Sequence, residues 1–234
     1  MDGRDEIEFV GGYDNLNNVY VATDEPNDLN SSDGNDVLYL GDGDDSILTD
    51  SKSNKVVYGE NGNETYIIND LNTVFFGGDG DDLTLFESSI STVLAFAGNG
   101  NDRFSNYLDS TIEGRKTYAW GGEGSDFFLL REMPRSSINW IMDFNMRNSD
   151  AGGDQIDFRF EETDFNWNES ITNLEKKSAD KEHPFLSEGA EYYELKVNLS
   201  ADENNENWFS ILNLVGIDDT EITLASLIAN GNLV

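Results

Sequence analysis

The 234-residue sequence has no cysteine and only one histidine, His183. The absence of cysteine excludes disulfide bonds and thiolate zinc sites, and a single histidine excludes metal sites that need several imidazoles. The motifs H-E-x-x-H and G-x-S-x-G are also absent. We therefore predict that the chain is not an enzyme, and that His183 is a surface residue rather than a ligand.

Basic residues and long apolar runs are scarce as well. The chain has 14 Lys and Arg against 47 Asp and Glu, which gives a net charge of −33. This charge repels nucleic acids and anionic membrane surfaces. No apolar run reaches the roughly 18 residues of a membrane helix, so membrane insertion is not expected, and the N-terminus lacks the features of a signal peptide. A hard divalent cation is the partner that so many carboxylates favour.

Glycine is concentrated in the first half of the chain, where 17 of the 22 glycines lie at or before Gly124. Beyond about residue 130 the composition becomes ordinary. This change predicts a repeat region over 1–130 and a C-terminal region over 131–234. A partial copy of the repeat at 11–14 leads us to expect that the chain belongs to something longer.

The repeat region contains six short blocks rich in Gly, Asp and Asn, each followed by a short apolar segment. The blocks close on an acidic residue at positions 36, 45, 64, 82, 102 and 126, so the steps are 9, 19, 18, 20 and 24 residues. A step of about 18 residues corresponds to one coil and a step of about 9 to half a coil. The blocks that begin at 40, 59, 77, 97 and 121 therefore stack on one edge of a flattened roll, and the block at 31 lies on the other.

The residue types in these blocks suit calcium. Glycine permits the positive φ that turns backbone carbonyls toward an ion, and the closing carboxylate adds an anionic oxygen. Stacked turns can share one Ca²⁺ and together supply its about 6–8 oxygen ligands. Five stacked turns leave four intervals, which predicts about four ions on that edge. Ordinary β-turns without a metal are the alternative, but they do not require six blocks in a common register.

The predicted calcium ligands lie in the six blocks and at two later aspartates. They are Asp33, Asn35, Asp36, Gly41, Asp42, Gly43, Asp44, Asp45, Gly59, Asn61, Gly62, Asn63, Glu64, Gly77, Gly78, Asp79, Gly80, Asp81, Asp82, Gly98, Asn99, Gly100, Asn101, Asp102, Gly121, Gly122, Glu123, Gly124, Ser125, Asp126, Asp143 and Asp157. Glu64 is longer than the aspartates that close the other blocks, which predicts a different geometry or a weaker site there.

The blocks have the form G-G-x-G-x-D-x-U-x, where U is a large apolar residue. This form resembles the calcium-binding repeat of RTX (repeats-in-toxin) proteins. The resemblance implies an all-β fold, a parallel β-roll (β-helix) whose turns bind Ca²⁺. Apolar residues after the turns are then expected to point inward. They are Leu38, Ile47, Val56, Tyr66, Phe75, Phe104 and Phe128. Leu83 and Leu85 flank Thr84, so we expect a slip of register there.

The C-terminal region resembles the segments that follow RTX rolls. Residues 137–144 and 153–158 are similar to the capping segment, in which Asp143 and Asp157 either hold a further ion or fix a β-corner. Alternating apolar residues predict strands over 192–199 and 208–215 in a small β-rich cap. A short helix is predicted over 223–230, after Thr223 or Asp219 and before Gly231.

The last residues, 215–234, resemble the C-terminal targeting segment of RTX proteins exported by type I secretion, especially that of giant bacterial adhesins. The resemblance implies an uncleaved signal read by an ABC-type exporter and a location outside the cell or on its surface. It also implies upstream domains of the same protein as partners and a role in adhesion. We expect a monomer. The alternatives are the same module in an RTX toxin or hydrolase, or a sugar-recognition surface that uses Trp120 and Trp140.

Overall fold

A computed structural model gives the fold of the chain. It describes residues 17–31, 33–49, 53–69, 72–86, 92–106, 116–130, 138–147, 152–158, 171–198, 208–217 and 222–233. The partial repeat expected at 11–14 lies outside these residues.

The described residues form 17 strands and one helix. The strands are β1 (Val19–Val21), β2 (Asp28–Asn30), β3 (Asp36–Tyr39), β4 (Ser46–Thr49), β5 (Asn54–Asn61), β6 (Thr65–Ile68), β7 (Asn72–Asp79), β8 (Leu83–Phe86), β9 (Thr92–Asn99), β10 (Arg103–Asn106), β11 (Lys116–Glu123), β12 (Phe127–Leu130), β13 (Ile138–Ile141), β14 (Gln155–Phe158), β15 (Ile171–Ser178), β16 (Glu191–Asn198) and β17 (Trp208–Leu214). The helix α1 is Leu224–Ala229.

Successive strands alternate between two sheets. The long sheet has the order β1-β3-β5-β7-β9-β11-β13-β17-β16-β15, and the short sheet has the order β14-β12-β10-β8-β6-β4-β2. One coil consists of a strand of the long sheet, a turn, a strand of the short sheet and a return, and neighbouring coils pair in parallel. The molecule is a parallel β-solenoid of about five turns with one short C-terminal helix. The predicted all-β roll is confirmed.

The interior lies between the two sheets and is filled by every second side chain. The inward residues of the long sheet, in register and buried, are Leu38, Val57, Phe75, Ala95 and Ala119. Those of the short sheet are Ile47, Tyr66, Thr84, Phe104 and Phe128. Six of the seven residues predicted to point inward are therefore confirmed.

Two predictions about the interior are wrong. Val56 points outward, because the pairing of β5 with β3 places Val57 beside Leu38. The register also continues without a slip after Leu83, and Thr84 takes the inward position. The sequence alone does not show which of two adjacent valines points inward, or whether a threonine between two leucines does. Only the pairing with neighbouring strands decides it.

Both sheets continue beyond residue 130. β13 pairs with β11 and β14 with β12, and the long sheet is extended by β17, β16 and β15, which pair antiparallel. The strands predicted over 192–199 and 208–215 are confirmed as β16 and β17. The helix is confirmed as well: Thr223 and Ser226 form its capping box, and it ends before Gly231. The predicted division at residue 130 stays a prediction. Within the described residues, no helix combines the length and apolar character needed to cross a membrane.

The outer face of the long sheet carries a row of stacked aromatic side chains, one from each of five coils. We call Tyr39, Tyr58, Phe76, Phe96 and Trp120 the aromatic row. Adjacent ring centroids are 4.9, 5.0, 5.0 and 4.3 Å apart, and the ring planes differ by 7 to 15°. The rings therefore face one another along the roll rather than facing solvent.

Candidate functional site

The glycine-rich turns stack along one edge of the roll, as their spacing predicts. Hydrogen bonds join consecutive turns: the Gly43 N–H donates to the Asn61 carbonyl at 2.8 Å, and the Gly62 N–H donates to the Asp79 carbonyl at 2.9 Å. The turns approach so closely that a Cβ added to Gly80 would lie 1.6 Å from the Gly62 carbonyl oxygen. Among the predicted ligands, the glycines at 41, 43, 62, 78, 80, 98, 100, 122 and 124 have positive φ.

The residues that close these turns form a buried row. We call it the closing row: Asn27, Asp45, Glu64, Asp82, Asp102, Asp126 and Asp154. In five of its six steps, the backbone N–H of one member donates to Oδ1 of the next aspartate along the chain, at 2.7 to 3.1 Å. The exception is the step to Glu64, whose two carboxylate oxygens have no hydrogen-bond partner. Each aspartate of the row thus orders the turn that precedes it.

In four aspartates of the closing row, the second carboxylate oxygen is buried without a hydrogen-bond partner. Oδ2 is unpartnered in Asp45, Asp82, Asp102 and Asp126. Burying an anionic oxygen removes its hydrogen bonds to water, and without a new partner this raises the free energy of the folded state. Such atoms therefore normally have a partner. A repeated set of them, one in each turn, is the donor chemistry that a hard cation requires.

Glycine leaves room beside two of these oxygens. A Cβ on Gly77 would lie 2.0 Å from Asp82 Oδ2 and 2.3 Å from the Ala97 carbonyl oxygen, and one on Gly121 would lie 1.9 Å from Asp126 Oδ2. Carboxylate and carbonyl oxygens of consecutive turns therefore border a common space, and these residues fit Ca²⁺. In the part of the chain that the structure describes, no three His, Cys, Asp or Glu side chains gather as a metal-binding group. Backbone carbonyls must then supply much of any coordination.

Burial raises the pKa of the closing carboxyl groups. The pKa of Asp102 and that of Asp154 rise to about 7, and those of Asp45 and Asp126 rise to about 6, with desolvation as the largest cause in each. Desolvation also raises the pKa of Glu64, and the negative charge of Asp82 adds to the effect. Without a cation, the ionised row therefore works against the fold at neutral pH.

These shifts predict how calcium-depleted protein responds to pH. A carboxyl group whose folded-state pKa is raised stabilises the fold fully below its unfolded pKa, about 4, and loses that contribution as the pH rises through about 6 to 7. We expect calcium-depleted protein to fold near pH 5, with a measurable melting temperature, and to lose that transition as the pH rises toward 8. Thermal unfolding followed by circular dichroism measures this, and a melting temperature that rises with pH would contradict it.

The other predicted ligands of this edge lie on its outer surface. Asp42, Asp44, Asn61, Asn63, Asp79, Asp81, Asn99, Asn101 and Glu123 are exposed, and Ser125 is half-buried. They bond to one another along the roll: the Asn63 N–H donates to Asp44 Oδ1 at 2.8 Å, and the Asp81 N–H donates to Asn63 Oδ1 at 2.8 Å. Of the predicted side-chain ligands on this edge, those of the closing row have the buried, unpartnered oxygens.

On the opposite edge, a lysine supplies the positive charge beside the closing aspartate. Lys55 Nζ lies 3.0 Å from Asp36 Oδ2, and both side chains are 0 % exposed. Nζ also donates to the Gly34 carbonyl at 2.5 Å and to Ser53 Oγ at 3.1 Å. Asp36 Oδ1 accepts the Asn18 N–H at 3.0 Å, which repeats the pattern of the glycine edge. A buried ammonium group thus stands where a bound cation would otherwise be expected.

The remaining predicted ligands do not join the closing row. Asp33 and Asn35 are exposed, and Asn35 Oδ1 accepts the Asn54 N–H at 3.0 Å. The two oxygens of Asp143 accept the N–H groups of Gly121 and Gly122, each at 2.9 Å, which is the β-corner role. Asp157 is buried on β14, where it is the register partner of Leu129.

Sequence reasoning missed three residues of this arrangement. Asn27 closes a turn without glycine, and its step of 18 residues to Asp45 is the signal that could have found it. Asp154 follows Gly153, but its step of 28 residues hid it. Lys55 occupies an inward position, and the alternating pattern alone does not reveal what its ammonium group contacts.

His183 differs from the surface residue that we predicted. It is half-buried, its Nδ1 accepts two backbone N–H bonds, and its ring contacts that of Trp140 at 4.5 Å. The Trp120 ring stacks on Phe96 at 4.3 Å and meets the edge of Phe185 at 5.6 Å. Protein neighbours engage both tryptophans, which does not favour a flat platform for sugars.

No protein-family model matches the chain, and a comparison with curated proteins found no match. A function for this β-solenoid must therefore be argued from its closing row.

Proposed function

We propose that this chain is a non-enzymatic calcium-binding module, with Ca²⁺ bound between consecutive turns of the glycine-rich edge. The observation that supports this is the row of buried carboxylate oxygens without hydrogen-bond partners, of which those of Glu64, Asp82 and Asp126 lie beside a glycine. The closing row supplies anionic oxygens and the neighbouring turns supply carbonyl oxygens. Divalent charge then offsets repulsion that the closing row cannot relieve by itself.

The proposal includes a coupling between calcium and folding. Where calcium is scarce, the buried carboxylates oppose coil stacking, so the repeat region stays unfolded. Outside the cell, Ca²⁺ reaches the roughly 10⁻⁴–10⁻³ M range in which extracellular modules bind, and binding and folding then occur together. The hydrogen bonds of the closing row give this process a direction: Asp154 orders the turn at Asp126, which orders the turn at Asp102. Coils are added from the C-terminal end.

The cellular role that we propose rests on the resemblance of the repeat and of residues 215–234. The chain is the C-terminal module of a secreted bacterial RTX adhesin, and its uncleaved type I secretion signal is read by an ABC-type exporter. A module that folds only after export suits passage through a channel. The same module at the end of an RTX toxin or hydrolase is the alternative. An export assay with and without residues 215–234 tests this role.

A calcium titration of the purified chain, followed by far-UV circular dichroism, tests the central proposal. We expect a cooperative gain of the β-sheet circular dichroism signal at sub-millimolar to millimolar Ca²⁺, about 10⁻⁴–10⁻³ M. We expect none with Mg²⁺, which gives up its water reluctantly and is seldom bound by protein oxygens alone. Asp82→Asn keeps a hydrogen-bond acceptor but removes the anionic oxygen, so its calcium midpoint should rise about tenfold.

The control for this variant is Asp180→Asn. It removes the same charge from a loop position, where the Asp180 side chain accepts the N–H of Glu182 at 2.9 Å. Its midpoint should equal that of the unaltered chain. Equal midpoints for all three proteins would refute the closing row as the site, and a chain that stays folded after calcium depletion would remove the folding switch.

A further inference from the structure

The coil over 59–66 differs from its neighbours at two inward positions. It closes on Glu64, where the next coil closes on Asp82. Two positions later it has Tyr66, whose register partners are Ile47 and Thr84. This coil therefore brings a longer carboxylate and a phenolic hydroxyl to places where its neighbours have an aspartate and a smaller side chain.

The Tyr66 hydroxyl is directed at the oxygens of this turn. Tyr66 is 1 % exposed, and its Oη has no hydrogen-bond partner. A Cβ added to Gly59 would lie 2.3 Å from Tyr66 Oη, 2.3 Å from the Gly77 carbonyl oxygen and 2.7 Å from Glu64 Oε2. Three oxygens of three chemical types thus border the space beside Gly59.

Glu64 serves the turns on both sides of it. A Cβ added to Gly62 would lie 2.6 Å from Glu64 Oε1 and 2.0 Å from the Gly43 carbonyl oxygen, whereas Glu64 Oε2 lies on the side of the Gly77 carbonyl. An aspartate of the closing row accepts a backbone N–H with one of its carboxylate oxygens. Neither oxygen of Glu64 accepts one. Both of its oxygens are therefore available for a ligand.

Given the cation binding proposed for the closing row, we propose that Tyr66 is a ligand in one of these sites. Its phenolic oxygen, Glu64 and the Gly77 carbonyl together bind the cation between the coils that close at Glu64 and Asp82. The bound ion is a hard cation that accepts neutral as well as anionic oxygens, such as Ca²⁺ or a lanthanide ion. Bound there, it gives the buried hydroxyl the partner that the fold does not provide.

The experiment uses Tb³⁺, which emits when a nearby excited aromatic side chain transfers energy to it, on the full chain. The variants are Tyr66→Phe and, as a matched control, Tyr58→Phe. Tyr58 lies on the same coil but in the aromatic row, stacked between Tyr39 and Phe76. Calcium dissociation constants at neutral pH, and the stability of calcium-depleted protein at pH 5, are measured for all three proteins.

We expect Tyr66→Phe to lose the tyrosine-sensitised Tb³⁺ emission of this site and to weaken one calcium site about tenfold. Tyr58→Phe should keep both, because Tyr58 lies in the aromatic row and not at this site. Emission sensitised by the tryptophans is common to the three proteins. At pH 5, where calcium-depleted protein is expected to fold, Tyr66→Phe should be no less stable than the unaltered chain, which separates a ligand from a merely structural residue. If Tyr66→Phe keeps its emission and all its calcium constants, Tyr66 is only a core residue. If the unaltered chain binds neither ion, the closing-row proposal fails and this one with it.

Discussion

Gly80→Ala is expected to lower the free energy of unfolding by more than about 4 kcal/mol, which is exceptionally large for a single substitution. The φ angle of Gly80 is 147°, and the added Cβ would lie 1.6 Å from the Gly62 carbonyl oxygen. The obstructing atom belongs to the backbone, so no side chain can move aside. The Gly80 N–H also donates to the Asn99 carbonyl at 2.8 Å, which holds the turn against its other neighbour. Urea unfolding in saturating calcium measures the loss.

Gly189→Ala is the matched control for this substitution. Gly189 also has a positive φ of 83°, but nothing lies within 4 Å of the added Cβ. Its cost should therefore be only the backbone strain, about 1–2 kcal/mol. Equal losses for the two variants would show that the φ angle alone decides the effect, and that close contact between coils does not.

The second large effect is expected for Lys55→Met. Methionine fills a similar volume but leaves the carboxylate of Asp36 buried without its ammonium partner, and the loss of one member of a buried ion pair costs about 3–5 kcal/mol. Excess calcium should recover little of this loss, because the methionine side chain occupies the space. Urea unfolding at several calcium concentrations gives the measurement.

The double variant Lys55→Met, Asp36→Asn tests the cause. It removes both charges and keeps an acceptor for the Asn18 N–H, so most of the lost stability should return, to within about 2 kcal/mol of the unaltered chain. If the double variant is as unstable as Lys55→Met, the lysine contributes through its packing and its bonds to Gly34 and Ser53, and not through its charge. Lys116→Met, at an exposed position on the same sheet, should cost less than about 0.5 kcal/mol.

The coil architecture could be predicted because the spacing of the blocks records it directly. A step of about 18 residues recurs only if each coil returns to the same edge, and the glycine at 80 reports a turn too tight for a side chain. The positions after the turns followed from strand alternation, with Val56 as the exception. Its neighbour Val57 is equally apolar, so only the pairing with β3 could separate them.

The closing row was predicted in its middle and missed at its ends. Asn27 and Asp154 belong to turns whose sequences do not repeat the motif, and their membership depends on hydrogen bonds between coils. The buried ammonium group of Lys55, on the opposite edge, was missed for a similar reason. A lysine in a strand is usually an exposed residue, and burial of Lys55 makes sense only once Asp36 is seen beside it. Patterns reveal repeated features, whereas single compensating contacts appear only in three dimensions.

The aromatic row gives the roll an optical signature. Its five rings come from five different coils and lie nearly parallel at 4.3 to 5.0 Å, so the electronic transitions of neighbouring rings couple where their coils are in register. Aromatic rings that are held in one arrangement give a near-UV circular dichroism signal, which is lost when side-chain packing becomes fluid. A displaced coil separates two neighbouring rings of the row, so the near-UV signal reports whether the coils are in register.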